Sequence, residues 1–309
     1  MTSLRSGLKR AIETALVASG GAALARRSRS NRVLILAYHD IIPDGFEAIG
    51  DRSLHLRQRS FASQLDRLGE THDVVPLAVG LDALSLSANT SGRPRAAITF
   101  DDAYSGALTA GVEELRVRGL PATVFVTPSF LGGGTFWWDT FADPVNGLDA
   151  NLRRQALLDA RGLNSEVEAI ASISQFTKCA MPSFACGASM QELQTALEYS
   201  HITLAAHTWS HPNLVALPDT MLATELARPL EWLQQFGDRA LPMVSYPYGL
   251  ADIRVQEAAR KSGYEAGFMI DGGWSSAPPP DPFAIPRLNV PAGVSRDGFV
   301  LRAAGLIQG

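Results

Sequence analysis

The run Ala96-Ala97-Ile98-Thr99-Phe100-Asp101-Asp102-Ala103-Tyr104 narrows the folds open to this chain more than any other stretch. A mostly apolar segment ends abruptly in two adjacent carboxylates. Such a run reads as a buried strand, and the charge at its end marks a point where the strand opens onto a site. A second run, Ile202 to Ala206, ends in His207-Thr208-Trp209-Ser210-His211. Further strands are predicted at 32–38, 122–127, 243–246, 266–270 and 283–290. Helical spacing predicts helices at 60–70, 106–118, through much of 150–200, at 219–236, and from Asp252 to about Ser262.

Strands that alternate with helices imply a largely parallel sheet. Polar residues recur just past strand ends: His39, Asp101, Asp102, His207, Tyr248 and Asp271. In a β/α barrel all such ends meet on one face. A doubly wound open sheet is the alternative, but no Gly-rich phosphate loop follows the first strand. The expected class is therefore α/β, a distorted (β/α) barrel with parallel strands and a helical insertion at about 139–200. That domain would span 32–309, behind a separate segment at 1–31.

Local signals refine the pattern. Ser60 is a plausible N-cap for a helix that turns Phe61, Leu65 and Leu68 inward, and Ser189 with Glu192 makes a capping box for a helix to about Tyr199. Gly119 and Pro121 end the helix at 106–118, and Pro229 is expected to bend or split the one at 219–236. Residues 43–59 and 84–94 read as loops.

The 46% apolar and 19% charged composition suits a globular chain with a substantial core, and no apolar run is long enough to cross a bilayer as a helix. The net charge of −4 argues against a nucleic-acid partner. Two cysteines, Cys179 and Cys186, do not make a disulfide scaffold and lack a second ligand pair for structural zinc, so free thiols are expected. Charge is unevenly spread. Residues 1–32 hold seven Arg and Lys against Glu13 alone, a local +6 that leaves −10 for the rest. Leu4, Leu8, Ala11, Ile12, Ala15 and Leu16 fall at helical spacing there, before Gly20-Gly21. Three readings stand: an amphipathic helix on an anionic membrane, a helix packed on the domain, or a poor signal peptide with Ala23-Leu24-Ala25 as cleavage site.

Asp101 and Asp102, at a strand end, can point to different sides, one as base and one as metal ligand; Asp-Asp is also a common turn pair. His207 and His211 are four apart. Two imidazoles and one carboxylate make a three-ligand catalytic site with open positions, suited to zinc, cobalt, nickel or manganese. Thr208 stands where a zincin peptidase needs Glu.

Thr99-Phe100-Asp101-Asp102 and His207-Thr208-Trp209-Ser210-His211 resemble the first two motifs of the polysaccharide deacetylases, carbohydrate esterase family 4. Tyr38-His39, Phe136-Trp137-Trp138-Asp139 and Ser245-Tyr246-Pro247-Tyr248-Gly249 add to the likeness, which runs over about 32–290. The resemblance implies a distorted β/α barrel and metal-dependent N-deacetylation of amino sugars. It implies Asp101 as general base, Asp102, His207 and His211 as ligands of a divalent metal, most simply zinc, and the Tyr248 N–H as an oxyanion donor. The sequence departs from the family pattern in three places. Ser245 stands near the Arg that orients the base, a gap Arg287 would fill from another strand. The fourth motif is only echoed, by Asp271 and Trp274. Val290 occupies the place of the fifth motif's His, the usual general acid; His39, also at a strand end, is the substitute candidate, and a hydrogen-bonded structural His is the alternative reading of it. Trp138, Trp209, Tyr246 and Trp274 are candidates for sugar contact, although aromatics also fill cores.

The function expected is removal of N-acetyl groups from a glycan or glycan precursor. The rivals are a degenerate glycan-binding protein and a deacylase or deformylase of a lipid-linked sugar. The expected partner is an N-acetylated glycan, with peripheral membrane contact through 1–30. The expected location is cytoplasmic, at a membrane's inner face.

Overall fold

The computed structural model describes residues 2–82, 92–143 and 146–307. Its centre is a curled, almost wholly parallel sheet. The ladder runs β10-β1-β5-β6-β7-β8-β9 through β1 (Arg32–Tyr38), β5 (Arg95–Phe100), β6 (Ala122–Val126), β7 (Ile202–Ala206), β8 (Ala240–Ser245) and β9 (Ala266–Phe268). β4 (Asp73–Val74) joins β5 at its start, and β10 (Trp274–Ser276) is the one antiparallel member, on β1. The curl is drawn together by a short segment. Ile285 bridges to Phe268 of β9, and, three residues on, β11 (Leu288–Asn289) pairs with Leu36 and Ala37 of β1. The expected strand at 283–290 is thus two brief pairings around a seam, because its residues must serve both sides of the gap.

Most of the strands are buried on both faces, which explains why their sequences read as unbroken apolar runs. Val33, Ile35, Ala97, Phe125, Ala205, Met243, Phe268 and Ile285 pack together inside the curl. Leu34, Leu36, Ala96, Ile98, Val124, Val126, Leu204 and Val244 face the surrounding helices. A short helix, α4 (Leu77–Leu81), plugs the N-terminal end: Leu77 joins the inner cluster and Gly80 lies close against Val33. Among the described residues, the interior opens onto a cavity at the C-terminal end.

The helices follow the predicted spacing with some local changes. α3 (Gln58–Thr71) begins ahead of Ser60, which therefore lies inside the helix and does not cap it; Phe61, Leu65 and Leu68 are buried as expected. The span read as loop at 43–59 contains β3 (His55–Arg57), paired with β2 (Asp40–Ile42). Three residues are too few to show a period. α5 (Val112–Arg118) continues a π-turn and ends at Gly119, whose φ of 65° needs glycine. The insertion holds α6 (Trp137–Thr140), α7 (Ala150–Leu158), α8 (Asn164–Ile173) and α9 (Met190–Glu198), the last with its full capping box. α10 (Asp219–Leu233) runs through Pro229 unbroken, and Asp252 caps α11 (Ile253–Ser262). The stretch at 84–94 lies mostly outside the described residues. Both cysteines are free thiols.

At the N-terminus α1 (Thr2–Ala18) and α2 (Gly21–Arg27) pack on α12 (Arg296–Ala303). Among the described residues no helix is long and apolar enough to cross a membrane.

Candidate active site

The site follows from strand parity. Side chains alternate across a strand, so the inward set continues at and just past the strand ends as His39, Asp101, His207, Ser245, Arg287 and Asn289. His39, Asp101, His207 and Asn289 line a cavity of about 320 Å³ at the C-terminal end, a volume at the small end of ligand pockets. Asp102 would point outward by parity. Its φ of 71° turns it back. Thr208, His211 and Tyr248 also have φ near +60°. Four non-glycine residues in the left-handed region around one cavity are strain held by the surrounding fold, a mark of functional sites.

The donors that resemblance assigns to a metal converge. Nε2 of His207 and of His211 lie 3.4 and 3.2 Å from Asp102 Oδ1, and all three residues are buried. They form the only His, Cys, Asp or Glu group among the described residues with metal-holding geometry. His207 Nδ1 donates to the Ser245 carbonyl at 2.8 Å, which fixes the tautomer that offers Nε2 as a lone pair. Burial holds both imidazoles below their usual pKa, His211 well below, so both are neutral as ligation requires. Asp102 Oδ1 is buried without a hydrogen bond. Burial, then the charges of Asp101 and Asp139, pushes its carboxyl well above the usual range. An orphaned carboxylate oxygen facing two imidazole lone pairs fits a divalent cation.

Asp101 is held differently. Arg287 forks onto it, Nη1 to Oδ1 and Nη2 to Oδ2, each at 2.7 Å. Arg287 also donates to Ser245 Oγ at 2.6 Å, to Thr99 Oγ1 at 3.0 Å and to the Met269 carbonyl at 3.1 Å. Burial, the largest single influence, would raise Asp101, but the charges of Arg287 and His207 and the Arg287 hydrogen bonds together hold the carboxyl far below the usual range. Asp101 is therefore ionised and oriented. His39, on the cavity wall, is lowered to about 4 by burial, against the pull of Asp101. It is neutral at ordinary pH.

Around the site lies a buried polar chain that sequence reasoning missed. His55 accepts or donates on both sides, Nδ1 to Asp40 Oδ2 at 2.8 Å and Nε2 to Asp139 Oδ1 at 2.7 Å. Asp139 also receives the Asp51 N–H and the Tyr104 hydroxyl, and Tyr104 receives Trp138 Nε1. Trp138 packs on His211 with ring centroids 4.6 Å apart. The His211 Nδ1 has no hydrogen-bond partner, and its ring is packed against Trp138 and against the rings of Tyr248 and His207, the latter two each 4.7 Å away. Asp139 stood in the quoted Phe-Trp-Trp-Asp segment. His55 gave no signal, lying in an irregular polar stretch.

The other expected residues are dispersed. Trp138 lines the cavity. Tyr246 borders it, yet its hydroxyl bonds the Phe283 carbonyl and its ring packs on Gly267. Trp209 is outside the cavity lining, its ring 3.7 Å under the Arg228 guanidinium. Trp274 is at the opposite end of the barrel, opposite Leu34 on antiparallel β10, because the chain turns back at Gly272-Gly273. Asp271 is exposed. Tyr248 sits on the cavity wall in a 3-10 turn, its hydroxyl taken by Trp137 Nε1. Asp51, Arg153 and Asn289 join the lining unforeseen. A larger surface groove of about 760 Å³ beside α5 and α9 holds no such ligand group.

The sequence pattern of the polysaccharide deacetylases matches residues 88–267, more than half of the chain. The chain belongs to the polysaccharide deacetylase family. It is a deacetylating hydrolase, and metal dependence is general in that family. No curated protein matches it. Among solved structures it is similar to the Streptococcus pyogenes deacetylase PplD in complex with acetate, at TM-score 0.59 and 16% identity over 87% of this chain and 96% of that one. IcaB from Ammonifex degensii gives TM-score 0.57 and 17% identity over 90% and 99%. A de-N-acetylase from Aggregatibacter actinomycetemcomitans gives 0.57 and 16% over 85% and 97%. At these identities the structures speak for the shared barrel fold.

Proposed function

We propose that the chain removes N-acetyl groups from an amino-sugar glycan, using a zinc-class divalent cation held by Asp102, His207 and His211. The observation that carries this reading is the adjacency of two differently tuned carboxylates. Asp102 faces two imidazole lone pairs, while Asp101 is clamped by Arg287 beside them. A glycan-binding module has no need of an oriented, ionised base next to a ligand triad. The similar proteins named for deacetylase and de-N-acetylase activity, one of them holding acetate, agree with the reaction class.

The bound cation supplies polarisation of the acetamide carbonyl and a lowered pKa for water. The chain's own groups do the rest. Asp101 accepts the water's proton, its lone pairs aimed by the Arg287 fork. The Tyr248 N–H, which makes no hydrogen bond to the described residues, is the donor for the developing oxyanion. The leaving nitrogen needs one proton, and the proton taken from water is the one available. His39 starts neutral, so it can serve as acid only after receiving that proton. The order of basicity allows it: Asp101 lies far below His39, at about 4, and His39 far below an amine. Trp138 supplies an apolar wall for the sugar ring, with Asp51, Asn289 and Arg153 at its polar rim. The location we propose is the cytoplasmic face of a membrane, on the strength of the basic residues at 1–32; cell fractionation tests it.

The experiment compares wild type, Asp101→Asn and His39→Gln for metal content and for acetate release from N-acetylglucosamine oligomers and polymers. The expectation is about one metal in each, with activity lost by roughly 10²- to 10⁴-fold in both variants. An unaffected Asp101→Asn enzyme removes the base assignment. A wild type that binds no divalent metal removes the catalytic reading altogether.

A further inference from the structure

Helix α1 packs on the barrel with its apolar row turned outward. Its inner side is partly polar: Glu13 is only 6% exposed and accepts the Ser295 hydroxyl at 2.5 Å, and Thr14 donates to Asp297 at 2.6 Å. Val17, with Ala22 and Ala25 of α2, adds a small apolar contact to Val300, Leu301 and Ala304. Those contacts fix the orientation of the helix. Leu8, Ile12 and Leu16, spaced by four residues and so aligned on one face, are left 65%, 52% and 44% exposed. Leu24 of α2 is 72% exposed. A single exposed leucine needs no explanation; an aligned row in one terminal segment, accompanied by exposed Lys9, Arg10 and Arg27, does.

We infer that the outward face of α1 and α2, centred on Leu8, Ile12, Leu16 and Leu24, docks on an anionic lipid bilayer. Charge selects this occupant. Residues 1–32 carry +6 while the rest of the chain carries −10, so a negatively charged surface attracts this segment and repels the body. A second copy on the same face would set one +6 segment against another, since a two-fold contact is self-complementary. The row's helical spacing and cationic flank are those of a helix lying in the headgroup plane. The inference is independent of the reaction: the docking face would exist on a binding module as well.

The test is flotation of the full-length chain with phosphatidylcholine vesicles, with and without phosphatidylglycerol, at low and high salt. Wild type is expected to float with the anionic vesicles and to weaken in high salt. The triple variant Leu8→Gln, Ile12→Gln, Leu16→Gln is expected to lose at least about tenfold in partitioning, since each change removes buried methylenes from the lipid contact. Its acetate release from soluble oligomers should stay unchanged, which shows that the barrel is intact. Wild type that ignores anionic vesicles, or a triple variant that binds equally well, overturns the inference. So does sedimentation showing a wild-type dimer that the triple variant dissolves without any lipid binding, because the row is then a protein interface.

Discussion

The carboxylate we propose as the base is clamped by a buried arginine on the seam of the curl. Arg287 has no exposed surface, and its fork meets both Asp101 oxygens. The resemblance places an arginine near Ser245, on β8. Here Ser245 is small enough to accept the Arg287 Nη2 from across the interior. Serine at one strand and arginine at another thus occupy one volume between them. Lysine could not replace it, having a single point charge and no planar fork. Arg287→Met should therefore leave Asp101 buried and unpaired, at a cost of about 3–5 kcal/mol in denaturant unfolding. Adding Asp101→Asn should recover most of that loss, because the stranded charge is then gone. A loss under about 1 kcal/mol for Arg287→Met would mean that the interior is wet enough to solvate the carboxylate unaided.

At the scale of elements, the cavity wall rests on the Asp40–His55–Asp139 chain. It ties β2, β3 and α6 to the residues after β5 through Tyr104, and it fixes Trp138 against His211. Burial alone would lower His55, but Asp139 and then Asp40 raise it to about 10. A histidine whose folded pKa exceeds its unfolded value stabilises the fold fully below about 6.5. That contribution declines as pH rises and is gone above about 10. Stability should therefore fall across this alkaline window in urea titrations, and His55→Gln should flatten the fall while lowering stability at pH 6. A His55→Gln profile parallel to wild type would show that the imidazole is neutral in the folded protein. This chain of residues was illegible in the sequence because its members belong to three short elements, each too brief to carry a period. The long buried strands and the two motif ends were legible for the opposite reason. An apolar run that stops at a charged residue reports burial, strand and opening together, as at Phe100-Asp101 and Ala206-His207.

For the whole molecule, parity is what joins fold to site. Six strands and the seam send alternate residues inward, and the sequence showed those ends without showing which would meet. Tyr248 and Asp271 both follow strands, yet only Tyr248 reaches the cavity lining, since the chain after β9 turns away just past Ile270. Trp274 was misplaced for the same reason: proximity in sequence to a motif says nothing about a strand that runs back antiparallel. The proposed metal donors come from the ends of β5 and β7, about 100 residues apart in the chain, and an unfolded chain cannot present them together. A cation held by Asp102, His207 and His211 binds the folded state alone, so it stabilises that state by mass action. At a free metal concentration near 100 times its dissociation constant the gain is about 2.7 kcal/mol. Scaled to a chain of this length, each kcal/mol shifts the midpoint by about 1.5 °C, so removing metal with a chelator should lower Tm by roughly 4 °C. Re-adding zinc should restore it, and His211→Gln should sit at the chelated value with no response to either reagent. A wild-type Tm that ignores both chelator and zinc would show that the three donors hold no cation in solution, and Asp102 would then have to be protonated to remain buried.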